Sequence, residues 1–265
     1  MPDSQPLAGL AVVNTRATHQ AQPLTDALTR QGAAVFHYPA IRIVPPMNPA
    51  PLDAALASLA DGAFDWLVLT STNAVESLAQ RLTELTIRNT LPDSGIAIAA
   101  VGSATAEAAA RLLGVQPSLV PDEFRAESLA AVLDIQPGAR VFLPQSEIAR
   151  PFLSNALTAA GAQVTQVTAY HTLTGQGGDP VPQLFWEGRI DAATFTSPST
   201  VHNFLKRLKA EGGNGGMLVD VAVACIGPQA VDAARSHDLP VQVVPTEHTI
   251  GGLVQALCEH FQRIV

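Results

Sequence analysis

Lysine is almost missing from this chain. Of its 15 basic residues only Lys206 and Lys209 are lysines, and 23 acidic residues bring the net charge to −8. That balance excludes the basic face that tracks a nucleic-acid backbone. Both lysines lie in HNFLKRLKAEGG, three apart on a surface-helix pattern. A Schiff-base lysine needs a desolvated amine, so that chemistry is not expected here. Cysteine is as scarce: Cys225 and Cys258 sit in a strand-like and a helix-like apolar run and read as two reduced, buried thiols. The seven histidines, at 19, 37, 171, 202, 237, 248 and 260, form no HxH or HExxH pair, so no metal site is expected. No apolar run approaches the ~18 residues of a membrane span. The start MPDSQPLAG has neither the basic nor the apolar part of an export signal. GxSxG, Walker A and a GxGxxG after the first strand are all absent, which removes the usual supports for a nucleophilic triad or a nucleotide cofactor. A globular cytoplasmic protein is expected, with neither nucleic acid nor membrane as partner.

What is present is an ample core and a repeat. Hydrophobic residues make up 47% of the 265, and charged residues 14%, enough for one large domain or two ordinary ones. LAVVNTRATHQAQPLTDALTRQGAAVFHYPAI (10–41) aligns with ARVFLPQSEIARPFLSNALTAAGAQVTQVTAY (139–170). Leu24 and Leu28 match Leu153 and Leu157, each pair four apart on one helix face. TSTNAV (70–75) matches TSPSTV (196–201), IAIAAVGSATAEAAARLLG (96–114) matches VAVACIGPQAVDAARSHDL (221–239), and 119–133 matches 243–257. The chain is thus two copies of a strand–helix module. Alternating strands and helices predict an α/β fold with mainly parallel sheets covered on both faces. Two Pro- and Gly-rich loops, 44–51 and 173–183, follow the second strand of each copy. The repeat leaves open whether the domains are consecutive or interleaved.

In such sheets ligands bind beyond the carboxyl ends of the strands. The turns there carry Arg16 in NTRATHQ, Ser71, Thr72 and Asn73 in TSTNAV, and Gly102, Ser103 and Thr105 in GSAT. Gln145 and Ser146 follow in PQSEIAR, Ser197 and Ser199 in TSPSTV, and Gly227 and Gln229 in GPQA. Their hydroxyls and first helical amides bind anions without basic side chains, which reconciles an anionic ligand with the charge of −8. Any one turn reads as helix capping by Ser71, Thr105 or Ser199; six on one edge read as a ligand-binding cleft. Glu147 is the one acid in these turns placed to point inward. Tyr170, one of two tyrosines, ends QVTAY beside His171. It reads equally as an aromatic anchor at a domain junction and as a functional group.

The ordered set NTR, YPAI, TSTNAV, VGSATAEAA, GARVFLPQSEIARPFLSNALTAAGAQV, VTAYHT, FTSPSTVHNF and CIGPQAVDAA resembles the uroporphyrinogen-III synthases over essentially the whole chain. The resemblance implies two similar flavodoxin-like parallel-sheet domains, one inserted in the other and joined by a two-stranded linker. On this sequence the discontinuous domain is 1–38 with 173–265 and the inserted one 39–172, with the active-site cleft between them. It implies a monomer that uses no metal or organic cofactor. The substrate is hydroxymethylbilane, a linear tetrapyrrole with eight carboxylates, handed over by hydroxymethylbilane synthase. Water is lost from the terminal carbon, and the ring closes with inversion of ring D through a spiro intermediate. Ser71, Thr105, Ser197 and the amides near Gly227 would touch the ligand, and Tyr170 would assist departure of the hydroxyl. Family members often carry Thr after the last Gly-Pro, where this chain has Gln229 and Ala230, a departure that the backbone donors of this turn survive. The alternative is a two-domain binding protein for an anionic small molecule, without catalysis.

Overall fold

The computed structural model describes residues 5–87, 91 and 95–263. Among them the chain forms ten strands and ten α-helices in two five-stranded sheets. It divides into two compact units, Met1–Arg42 with Leu173–Val265, and Ile43–Thr172.

In the discontinuous unit, β1 (Ala11–Asn14), β2 (Ala34–His37), β8 (Ala192–Phe195), β9 (Ala222–Cys225) and β10 (Val241–Val243) lie in the order β10-β9-β8-β1-β2, all parallel. Counted within the unit this is 2-1-3-4-5, the flavodoxin-like order. In the inserted unit, β3 (Ile41–Val44), β4 (Trp66–Leu69), β5 (Ala97–Ala100), β6 (Arg140–Ser146) and β7 (Gln163–Thr174) lie in the order β3-β7-β6-β4-β5. An isolated parallel bridge, Ala99 to Leu119, continues that sheet beyond β5. Once the sequence copies are exchanged, β2-β1-β8-β9 corresponds to β7-β6-β4-β5, the Leu119 bridge stands in the place of β10, and β3 is an addition at the other edge. β1 and β2 of the first copy join β8–β10 of the second, and β6 and β7 of the second join β4 and β5 of the first. Each unit is therefore built from parts of both copies.

Burial on both faces follows from the strand alternation. Val12 packs with Leu24 and Leu28 of α1 (Gln22–Arg30), whereas Val13 packs on the other face with Phe204 of α8 (Pro198–Ala210). Likewise Leu67 and Leu69 enter one layer with Leu78 of α3 (Thr72–Glu84), and Val68 enters the opposite layer with Leu153 and Leu157 of α6 (Phe152–Ala159). Each such leucine contributes about 2 kcal/mol by leaving water. The remaining helices are α2 (Ala50–Ala60), α4 (Ser103–Leu113), α5 (Ala126–Val132), α7 (Val181–Trp186), α9 (Pro228–Arg235) and α10 (Ile250–Gln262).

Residues 38–42 stay with the discontinuous unit because its backbone holds them. Tyr38 and Ala40 donate to the carbonyls of Asn14 and Thr15 at 3.0 and 2.9 Å, and Gly175 donates to Ala40 at 2.8 Å. The approach is close enough to require glycine: a Cβ on Gly175 would lie 1.8 Å from the Pro39 oxygen, and one on Gly178 2.2 Å from that of His37. Arg207, 5% exposed, completes this junction. It donates to the Pro39 carbonyl at 2.9 Å, the Gly177 carbonyl at 2.6 Å and the Glu211 carboxylate at 2.7 Å, and stacks 3.7 Å over the Tyr38 ring.

At the opposite end of the inserted sheet, Arg140 clips β6 to the residue before β4. Its guanidinium reaches Asp65 at 2.7 Å and its backbone N–H at 2.8 Å. These hydrogen bonds, side chain first, hold the Asp65 carboxyl down at about 2. The clip persists above the ordinary value of 3.8 and is lost as pH falls through about 2. Arg140→Gln is expected to return the Asp65 carboxyl toward 3.8, read by carboxyl NMR titration.

Candidate active site

In the inserted unit Ser71 and Asn73, just beyond β4, come near Ser146 at the end of β6 and Tyr170 within β7. Ser71 has extended backbone and is the N-cap of α3, its Oγ accepting from the Ala74 N–H at 3.1 Å. The same Oγ lies 3.0 Å from the Tyr170 hydroxyl. Asn73 and Ser146 lie near enough to lower the phenol's pKa slightly. Tyr170 is only 7% exposed, and burial pushes its hydroxyl above the usual tyrosine range, partly offset by Ser71 and Asn73. The phenol thus stays protonated at neutral pH and can donate.

Its direction is set by a bulge. On β6 and β7, Gln145 opposes Thr168 but Ser146 opposes Tyr170, so Ala169 is an extra residue on β7. Ala169 and Tyr170 are consecutive yet both buried in the same layer, which a regular strand would not allow. Glu147 is occupied elsewhere: both carboxylate oxygens accept from the Thr172 N–H, at 3.0 and 3.2 Å. One also accepts from Ser146 at 2.8 Å, and His171 lies 3.4 Å from the other. Glu147 fastens the end of β7, and its charge also acts on the Tyr170 phenol, raising its pKa.

Gln145 does not join this cluster. It shares a face of β6 with Leu143, which packs in the layer opposite Tyr170. There it is 5% exposed, its Oε1 without a hydrogen-bond partner among the described residues. Thr72 and Ser103 open α3 and α4, and Thr105 is buried within the first turn of α4.

In the discontinuous unit Ser197 caps α8 in a capping box with Thr200, and its Oγ lies 2.9 Å from that of Ser199. Capping by Ser71 is as expected, whereas α8 is capped by Ser197 rather than Ser199 and α4 follows Gly102 with no side-chain cap from Thr105. Gly227 precedes α9 as Gly102 precedes α4, both without a side-chain cap; Gln229 is the second residue of α9. Arg16 turns its Nε to the Gln20 carbonyl at 2.9 Å. Near this turn a cavity of about 290 Å³ has His19, Arg42 and Gln176 on its wall.

Two further residues have no counterpart in the sequence reading. A Cβ on Gly102 would lie 2.8 Å from the Phe124 ring, and one on Gly227 3.3 Å from the His248 ring. The aligned pair 119–133 and 243–257 puts Phe124 on His248, and that was the available signal. Among the described residues no group of three or more His, Cys, Asp or Glu could hold a metal ion, and no helix is long and apolar enough to cross a membrane.

The model of the family described as "Uroporphyrinogen-III synthase HemD" matches residues 22–255. The chain belongs to the uroporphyrinogen-III synthase family. A relative named uroporphyrinogen-III synthase, from Synechococcus elongatus, is 36% identical over 259 residues, covering 96% of each chain. Among solved structures, a mutant uroporphyrinogen III synthase from the extremely thermophilic bacterium Thermus thermophilus superposes with TM-score 0.66 at 19% identity, over 96% of this chain and 99% of that one. The Helicobacter pylori uroporphyrinogen-III synthetase gives 0.57 at 14%, over 94% and 98%. These two likenesses establish the fold, two parallel-dominated α/β sheets. Within the uroporphyrinogen-III synthase family, the relatives named here lend nothing to a non-catalytic binding protein.

Proposed function

We propose that this protein converts hydroxymethylbilane to uroporphyrinogen III in the cytoplasm, as a cyclising lyase without a cofactor. The observation that carries the reading is the 36% identity with the Synechococcus elongatus synthase over 96% of both chains. The geometry is compatible with the chemistry. The terminal hydroxyl of the substrate leaves as water, and the Tyr170 O–H, kept protonated by burial, is the donor to that departing oxygen. The bilane carbon so exposed bonds to the substituted carbon of ring D, giving the spiro intermediate. Fragmentation and reclosure then invert ring D. No group is transferred to the protein, so its task is to fold the chain of rings and hold the leaving group near a donor.

The substrate carboxylates are received by hydroxyls and helix N-terminal amides. Ser71, Thr72, Asn73, Ser103 and Ser146 serve in the inserted unit, and Ser197, Ser199 and the first turn of α9 in the discontinuous one. Thr105, being buried, acts behind these groups, and Gln145, on the other face of β6, is left out of the set. The substrate comes from a hydroxymethylbilane synthase, the reaction that makes this labile bilane, and direct hand-over would limit its spontaneous closure. Consumption of hydroxymethylbilane should accelerate in proportion to protein and saturate with substrate. A rate independent of protein concentration would refute the proposal.

A further inference from the structure

We propose that Ser77, which lies in the body of α3 and in none of the ligand-facing turns, is a positioning residue that aims Tyr170 by pinning the bulge in β7. The inference rests on the function proposed above. Its basis is a short hydrogen bond from the Ser77 hydroxyl to the carbonyl of Ala169, the extra residue of the bulge. The same helix thus grips β7 at two adjacent residues: through Ser77 at Ala169 and through its cap Ser71 at the Tyr170 hydroxyl.

The physical consequence follows from strand periodicity. A shift of one residue in pairing turns every following side chain to the other face of the sheet. With Ala169 held out of register, Tyr170 faces the layer that contains Leu78, Val75 and Ser71's helix. Were the bulge to relax into regular pairing, Ala169 would oppose Ser146 and the phenol would turn toward the opposite layer. The Ser77 hydroxyl donates to the carbonyl that the regular register would redirect, so it selects the bulged arrangement. Nothing in this role requires Ser77 to touch substrate.

Ser77→Ala is expected to lower kcat on the order of 10-fold with KM changed less than about twofold, short of the ~10²-fold that a 1 Å misplacement can cost. Ser77→Thr, which keeps the hydroxyl, should restore most of the rate. In a Tyr170→Phe background Ser77→Ala should add less than about twofold, because the two act through one group. A readout independent of turnover is available, since the chain has two tyrosines, Tyr38 and Tyr170. With ring-labelled tyrosine, the Tyr170 resonance should move in Ser77→Ala and stay in Ser77→Thr, while Tyr38 marks the intact fold. Should Ser77→Ala fail to fold, Ser77→Cys, near-isosteric with a much weaker donor, makes the same comparison. An unmoved Tyr170 resonance with wild-type kcat overturns the inference, and so does an undiminished Ser77→Ala effect in the Tyr170→Phe background. If the wild-type protein does not consume hydroxymethylbilane, the proposed function fails instead, and the resonance alone decides whether Ser77 aims the ring.

Discussion

Tyr170→Phe is expected to lower kcat on the order of 10²-fold, the low end of what a positioned acid contributes, while KM stays nearly constant. The substitution removes one oxygen and leaves the ring, so the packing of Tyr170 in its layer survives. What disappears is the one phenolic donor of the cluster. An effect on kcat alone identifies an interaction made in the transition state rather than on binding. Ser71→Ala should cost less, about a fewfold, since it removes a neighbour of the phenol and leaves the phenolic donor itself in place. The pH dependence carries the same sign. Burial raises the Tyr170 pKa above 10.0, so the donor form persists through neutral pH and is lost only as pH rises beyond that value. The alkaline limb of kcat due to this group should therefore lie above pH 10, and Tyr170→Phe should remove it. A raised KM with unchanged kcat would make Tyr170 a binding residue. No effect on either would return it to the role of aromatic anchor.

Arg207→Met should destabilise the protein by about 3 kcal/mol, measured as a lower urea midpoint at unchanged slope. Removing the guanidinium leaves the carbonyls of Pro39 and Gly177 without this donor and takes a charge partner from Glu211. It also removes the cation from the Tyr38 face, in a cluster where the Tyr38 hydroxyl donates to Glu211 at 2.9 Å. The figure sits at the low end for a broken buried pair because the Glu211 side chain is 39% exposed and partly screened. Arg207→Lys should recover little, since one ammonium cannot reproduce a fork aimed at three acceptors. A loss below about 1 kcal/mol would reduce the cluster to an ordinary surface pair.

Much of the fold was readable because buried parallel strands leave continuous apolar runs. WLVL, AIAA and AVAC are β4, β5 and β9. The exchange of halves between copies was not readable from the repeat, because two alike modules satisfy the same pattern in either pairing. What selects the pairing is local: the hydrogen bonds of residues 38–40 and the glycines at 175 and 178, which tolerate no Cβ. Arg207 was hidden for a related reason. It lies between two lysines in a stretch that reads as a solvated face, and only the position of Tyr38 shows that its stem is buried.

The same contrast holds at the site. Ser71 follows its strand and caps the next helix, a local event visible in TST, whereas in TSPS the choice of Ser197 over Ser199 was not resolved by the pattern. Tyr170 was visible as a rare residue, but its orientation depends on a register shift against β6, and register is a property of two strands together. Ser77 and the rings near Gly102 and Gly227 also depend on tertiary contacts. Gln145 was assigned by its turn, whereas the alternation of β6 carries it to the other face.

The central claim is that this chain directs ring closure as well as permitting it. Hydroxymethylbilane left to itself closes without inversion, so the identity of the product separates guidance from mere binding. Catalytic amounts of the protein should be mixed with fresh hydroxymethylbilane, and the type I and type III uroporphyrins resolved after oxidation. The account predicts that type III predominates and that its share falls, in favour of the spontaneous type I product, in Tyr170→Phe. Type I alone from the wild-type protein would contradict it.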